Sequence, residues 1–205
     1  MENIIEIGAV LTASALAMIL HELPKSIMYI LTGRHCQPED KRRIFRLHQY
    51  IDPVGWILFL VCHAGCSKPY PYRLKEKDTN IAIGLTGFLT LGVMIAAGNV
   101  FYYNIVPYLP LITGWTLTSP ILKFVAVTSW FFLYASCVLF IINLFPTTAS
   151  DMFLLIIGIS PSKLIYLLKN DGMIKGLLIF AIVLGLIPYG AGIIMNGIGS
   201  LTGII

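Results

Sequence analysis

Charge is scarce in this chain and is missing altogether from three long stretches of it. Of the 205 residues only 12% are charged and 57% are hydrophobic, and the mean hydropathy is +0.83. Soluble domains carry about twice that share of charged residues. No Lys, Arg, Asp, Glu or His lies between Asp78 and Lys123, between Lys123 and Asp151, or after Lys175. These gaps exclude an ordinary soluble domain and indicate a membrane protein.

The sequence also lacks the roughly ten-residue stretches of alternating polarity that are typical of a membrane β-barrel. Because lipid cannot pair with backbone N–H and C=O groups, continuous apolar runs in a membrane are helical. We therefore predict an all-α polytopic membrane protein of about four to six transmembrane helices, folded as a single domain over residues 1–205. No CxxC pair is present, and the four cysteines are predicted to be small buried hydrophobes rather than disulfide or metal ligands: Cys36, Cys62, Cys66 and Cys137.

The apolar segments fall into five groups, with one further broken stretch. They are residues 4–32, 54–66, 80–103, 123–145 and 173–196, the last bent near Pro188, and a stretch over 152–168 broken by Pro161. A span takes about 20 residues, which four of the five segments provide. Glu2 and Glu6 stand where a secretory signal carries positive charge, so we expect the first segment to be a retained helix.

Nine of the fourteen basic residues lie in two loops, residues 34–46 and 68–77. By the positive-inside tendency both loops face the cytoplasm, and we see no nucleic-acid-binding face. The segment over 54–66 lies between them and therefore returns to the side from which it enters. Its length agrees, because about 13 residues of helix reach only some 20 Å of a roughly 30 Å core. We predict a re-entrant segment here.

A polar patch interrupts the first apolar segment at His21-Glu22-Leu23-Pro24-Lys25. Ionisable groups inside a span cost about 2.5–3.5 kcal/mol each, so each needs a partner or a purpose. His-Glu is half of the HExxH signature, in which two histidines one turn apart bind zinc and the glutamate is the general base. The second position here is Lys25, whose ammonium has no lone pair for a metal. The plainer alternative is a polar pair that caps or kinks the helix at Pro24.

Further fragments follow in an order that resembles the site-2 protease family of intramembrane zinc metalloproteases, over about residues 10–160. The fragments that match the family's motifs are His21-Glu22, Ile51-Asp52-Pro53-Val54-Gly55, Lys68-Pro69-Tyr70-Pro71, Asn143-Leu144-Phe145-Pro146 and Asp151. The chain departs from the family at Thr86-Gly87-Phe88, where a Pro and an Asn of the family motif are missing, and at Met152, where the family has Gly.

The resemblance implies a site-2-protease-like core with the C-terminal helix 173–196 added to it. It implies that His21 and Asp151 are metal ligands, that Glu22 is the general base, and that Asn143 and Pro146 are motif positions. A catalytic zinc takes three protein ligands, and Lys25 replaces the third. His48 and His63 are possible substitutes, although a surface role for His48 and a backbone-bonded role for His63 are the simpler interpretations.

Three functions remain open from the sequence. In the first, Lys25 places its charge where the metal would lie, between Glu22 and Asp151, and the protein is a pseudoprotease that binds or regulates a transmembrane partner. In the second, the chain is an active zinc protease that cleaves transmembrane substrates. In the third, a small transporter or channel subunit uses the same charges as an ion path, although no inverted repeat favours this. Besides that partner or substrate, we expect contacts with membrane lipids only.

Overall fold

The computed structural model describes residues 2–33, 44–72, 76–114, 119–148 and 150–201, and these residues form helices and connections without a β-strand. The all-α prediction is therefore confirmed for this part of the chain. The helices are α1 (Glu2–Thr32), α2 (Pro53–Cys62), α3 (Lys77–Val100), α4 (Leu109–Thr113), α5 (Pro120–Leu144), α6 (Asp151–Ile159), α7 (Leu164–Val183) and α8 (Leu186–Leu201). Short 3-10 turns lie at Leu47–Tyr50, Val106–Tyr108 and Pro161–Lys163, and one π-helical turn extends α3 over Phe101–Ile105.

Three helical stretches of the described chain are long and apolar enough to cross a membrane: Ile4–Thr32, Lys77–Thr113 and Pro120–Leu144. A fourth is obtained if Pro161–Val183 and Leu186–Gly199, which meet at 68°, count as one span. This arrangement fits a multi-pass integral membrane protein. It meets the predicted four to six crossings only at the lower limit, because the short apolar segments do not form full-length helices.

The C-terminal segment differs from the single helix predicted over 173–196. Helix α7 begins earlier, at Leu164, and the break lies at Gly185, whose φ of 74° is left-handed. Glycine adopts this conformation without the steric cost that a side chain imposes. Pro188 lies three residues further on, in the first turn of α8, where proline removes no internal hydrogen bond. The glycine, and not the proline, therefore sets the bend.

Helices α1, α3 and α5 pack against one another in the middle of the molecule, with α6 against α3, α8 against α5 and α2 against α1. Glycines on α3 bring α6 close: a Cβ at Gly84 would lie 2.8 Å from the Leu155 side chain and 2.9 Å from the backbone oxygen of Asp151. Small residues allow such close approach where lipid supplies no hydrophobic drive for helix association. The contact fixes the start of α6 beside the middle of α1.

The predicted re-entrant segment forms a hairpin in which the first arm is helix α2 and the returning arm is not helical. Helix α2 ends at His63, which takes a left-handed conformation with φ 53°, and the chain then returns alongside the helix. The two ends lie together, because the Lys68 amide donates to the carbonyl of Tyr50 over 3.1 Å. A side chain at Gly55 would overlap the returning backbone at Cys66, so the two arms are in direct contact. This geometry agrees with a segment that enters and leaves on one side.

Candidate functional site

The polar patch lies in one continuous helix, and the structure brings two distant segments to it. His21, Glu22 and Lys25 belong to α1, which runs through Pro24 without a break. Asp151 reaches them from the first turn of α6, and Ser67 reaches them from the returning arm of the hairpin. The side chains of His21, Glu22, Lys25 and Asp151 are 0–1% exposed. We call His21, Glu22, Lys25, Ser67 and Asp151 together the buried charge cluster.

Lys25 occupies the centre of the buried charge cluster. Its Nζ lies 2.6 Å from Asp151 Oδ1 and 3.1 Å from each carboxylate oxygen of Glu22. A single ammonium therefore bridges two carboxylates from different helices. Two like charges in a dry interior repel each other strongly, and an intervening cation removes that repulsion.

His21 provides the second contact between the helices. Its Nε2 lies 2.8 Å from Asp151 Oδ2, and its Nδ1 lies 3.2 Å from Glu22 Oε1 and 3.3 Å from Ser67 Oγ. The Ser67 hydroxyl donates its proton to Glu22 Oε1 over 2.7 Å, so it presents only lone pairs to His21. Both ring nitrogens thus face acceptors, which is the pattern of a doubly protonated imidazolium. A protonated His21 and the Lys25 ammonium would together balance the two carboxylates.

Asp151 is held in place from both sides. Its backbone N–H donates to Asn143 Oδ1 over 3.1 Å, and the Asn143 amide nitrogen donates to the Leu139 carbonyl over 2.9 Å. On the other side a Cβ at Gly87 would overlap the Asp151 carboxylate, so only glycine leaves room for it. Ser150 caps α6 by accepting from the Phe153 amide over 3.2 Å. Asn143 and Gly87 are therefore positioning residues for Asp151.

Three tyrosine rings pack together beside the buried charge cluster, on the side of the basic segments. Tyr29 lies one turn beyond Lys25, and its ring centroid is 6.0 Å from that of Tyr70 and 5.3 Å from that of Tyr72. Tyr70 and Tyr72 are 5.8 Å apart. The ring contacts therefore pack α1 against the segment that follows the hairpin.

Other predicted site residues lie elsewhere. His63 is exposed at the tip of the hairpin and stacks on Phe131, with ring centroids 6.3 Å apart. His48 is exposed in the 3-10 turn Leu47–Tyr50. Pro146 follows the end of α5 and forces the residue before it, Phe145, into an extended conformation with ψ 128°. It thereby shapes the connection between α5 and Asp151.

The zinc that the resemblance implies does not fit this arrangement of side chains. The space between Glu22 and Asp151 is filled by a cationic nitrogen, and both nitrogens of His21 already lie within 3.3 Å of other polar side chains. Within the described ranges no three His, Cys, Asp or Glu side chains are grouped so that they could hold a metal ion. A catalytic zinc site needs three such ligands and an open position.

Sequence reasoning missed Ser67 and the packing role of Gly87. A serine before Lys68-Pro69 carries no signal of its own, and only the hairpin return brings it to α1. No protein-family model, no curated protein and no solved structure matches this chain. The structure thus shows a membrane-type helical bundle with a buried, ion-paired centre.

Proposed function

We propose that this chain is a non-catalytic membrane protein of the site-2-protease type, in which Lys25 replaces the metal and the preserved bundle binds or regulates a transmembrane protein. The observation that carries the proposal is the position of Lys25 Nζ, 2.6 Å from Asp151 Oδ1 and 3.1 Å from Glu22. These are the two carboxylates that a metalloprotease would use at a zinc and its water. An ammonium between them supplies positive charge, but it cannot act as a Lewis acid as a zinc ion does.

The state of Glu22 supports the same conclusion. A general base needs a free lone pair directed at the proton that it removes. Glu22 Oε1 accepts hydrogen bonds from Ser67 and Lys25, Oε2 faces the Lys25 ammonium at 3.1 Å, and the side chain is 1% exposed, so neither oxygen is directed at a substrate cavity. We infer that this arrangement stabilises the fold rather than activating a nucleophile.

The partner we propose is met within the bilayer or at the face that carries the basic segments. Many large apolar side chains of α1, α3 and α7 face outward, as the lipid-facing surface of a bundle does, and another transmembrane helix can pack on such a surface. We propose that the basic segments 34–46 and 68–77 face the cytoplasm; residues 34–43 and 73–75 lie outside the described residues. The partner we propose is therefore a protein with at least one membrane span.

Metal analysis tests this function. Wild-type protein, purified without a histidine tag and dialysed against zinc, is expected to retain no stoichiometric zinc. Lys25→His places a third nitrogen ligand one turn after His21 and removes the ammonium, so we expect it to gain about one zinc per chain. Lys175→His, the same change at a half-exposed lysine, is the control and is expected to gain none.

The opposite result identifies the active protease. Stoichiometric zinc in the wild-type protein, with cleavage of a single-span substrate that Glu22→Gln abolishes, would overturn the proposal. Ion flux in proteoliposomes that is lost in Lys25→Met would favour a transporter instead.

A further inference from the structure

A second feature lies at the other end of the bundle, away from the buried charge cluster. Glu6 on α1, Tyr102 in the π-helical turn, and Trp130 and Phe131 on α5 line a groove of about 440 Å³, together with Ala126 and Val127. This volume is within the range of small-ligand sites, about 300–1,000 Å³. Three aromatic rings and one carboxylate thus converge from three elements. We call it the aromatic groove.

The rings are held in fixed orientations. Trp130 stacks parallel to Tyr134, with centroids 5.4 Å apart and planes at 4°, and Phe131 stands perpendicular to Trp130 at 4.8 Å. On the other wall Tyr102 packs edge-on against Tyr103 at 4.9 Å. Rings locked by neighbours need no ordering when a ligand binds, which lowers the entropic cost of binding.

The charge of the aromatic groove selects a cation. Glu6 is exposed, and among the described residues no basic side chain forms an ion pair with it. Aromatic faces carry negative potential and attract ammonium groups within about 6 Å of the ring centre, and quaternary ammonium ligands are bound by such cages. A neighbouring cavity of about 430 Å³, lined by Leu16, Leu20 and Phe132 among others, contains no charged residue. Of these two cavities, only the aromatic groove therefore favours a cation.

The position of the aromatic groove indicates which kind of molecule carries the cation. Trp and Tyr are enriched where the hydrocarbon core meets the head groups, and the groove lies near the N-terminal end of α1 and the C-terminal end of α3. A carboxylate and aromatic rings at this level suit the ammonium of a lipid head group.

We propose that the aromatic groove binds the head group of a zwitterionic phospholipid, with the choline or ethanolamine ammonium against Glu6, Tyr102 and Trp130. The proposal is independent of the function of the buried charge cluster. The ligand is a membrane lipid, because a free ammonium ion would use the carboxylate and the rings but gain nothing from the adjoining apolar surface.

Binding of short-chain lipids to the full chain in detergent tests this proposal. Native mass spectrometry would compare dihexanoyl phosphatidylcholine with dihexanoyl phosphatidylglycerol. The two lipids share the acyl chains, the glycerol backbone and the phosphate, but the first carries choline and the second an uncharged glycerol, so only the first has an ammonium group. We expect phosphatidylcholine to bind about tenfold more tightly, and tetramethylammonium to compete with it. Glu6→Gln and Trp130→Leu should each weaken phosphatidylcholine binding by about three- to tenfold, the loss expected for one ammonium contact.

Two exposed residues outside the groove serve as matched controls, Asp78→Asn for the carboxylate and Tyr189→Leu for the ring. Both should leave lipid binding unchanged. Equal binding of the two lipids, or equal effects of Glu6→Gln and Asp78→Asn, would overturn the proposal. Binding of tetramethylammonium without a preference between the lipids would also overturn it, since the site would then take a free cation. Trp130→Phe keeps an aromatic face and should retain most of the binding if Trp130→Leu fails to fold.

Discussion

Replacing Lys25 by methionine tests whether an ammonium holds the centre of this protein together. Methionine has nearly the same length and volume but no charge. The change leaves Glu22 and Asp151 in the dry interior with His21 as their only cation, so one buried negative charge becomes uncompensated. We expect a large loss of folding free energy, and the structure gives its scale.

The Lys25 ammonium faces Asp151 at 2.6 Å and Glu22 at 3.1 Å. At an effective dielectric constant near 20, these two attractions are about 6 and 5 kcal/mol before desolvation is subtracted. Desolvation of the buried ammonium cancels several kcal/mol of that sum. Removing one member of a buried ion pair costs about 3–5 kcal/mol in practice. For a chain of this size that corresponds to a fall in Tm of about 10 °C.

Thermal unfolding in detergent, followed by intrinsic tryptophan fluorescence, measures this loss. Lys175→Met is the matched control: Lys175 pairs with Asp171 one turn away, but its side chain is 47% exposed, so we expect a change below about 1 kcal/mol. The triple variant Lys25→Met, Glu22→Gln, Asp151→Asn removes the imbalance and should recover much of the stability. If Lys25→Met is no less stable than Lys175→Met, the charge-balance argument is wrong. If the triple variant is as unstable as Lys25→Met, lost packing is the cause instead.

Two further changes test the placement of Asp151 and use the same unfolding assay. Gly87→Ala should destabilise the protein strongly, because its Cβ overlaps the Asp151 carboxylate, whereas Gly92→Ala on the same helix has open space and should be neutral or stabilising by up to about 1 kcal/mol. Equal effects would contradict the close contact. Asn143→Ala should cost about 1–3 kcal/mol, since it strands the buried Asp151 amide; Asn170→Ala, whose amide is exposed and bonds only within its helix, should cost less than half of that.

The structure brings together residues that lie far apart in the sequence, and the function of those residues stays a prediction. His21 and Asp151 are 130 residues apart in the sequence and lie 2.8 Å apart in the structure. Nothing in the composition or periodicity of either segment pairs them; only the resemblance suggested it. The position of Lys25 one turn after His21 suggested that its ammonium lies between the carboxylates, because helical spacing places both side chains on one face.

The sequence by itself determined that this is a helical membrane protein, where its main helices lie, and that a polar patch lies within α1. These follow from hydropathy and helical spacing, which are properties of neighbouring residues. The tertiary structure alone decided which groups meet: Ser67 with Glu22, Gly87 with the Asp151 carboxylate, and Glu6 with the rings of α5. It also moved the C-terminal bend from Pro188 to Gly185, since a proline in the first turn of a helix is harmless while a left-handed glycine redirects the chain. Contacts between segments far apart in the chain depend on packing, and packing has no local signature in the sequence.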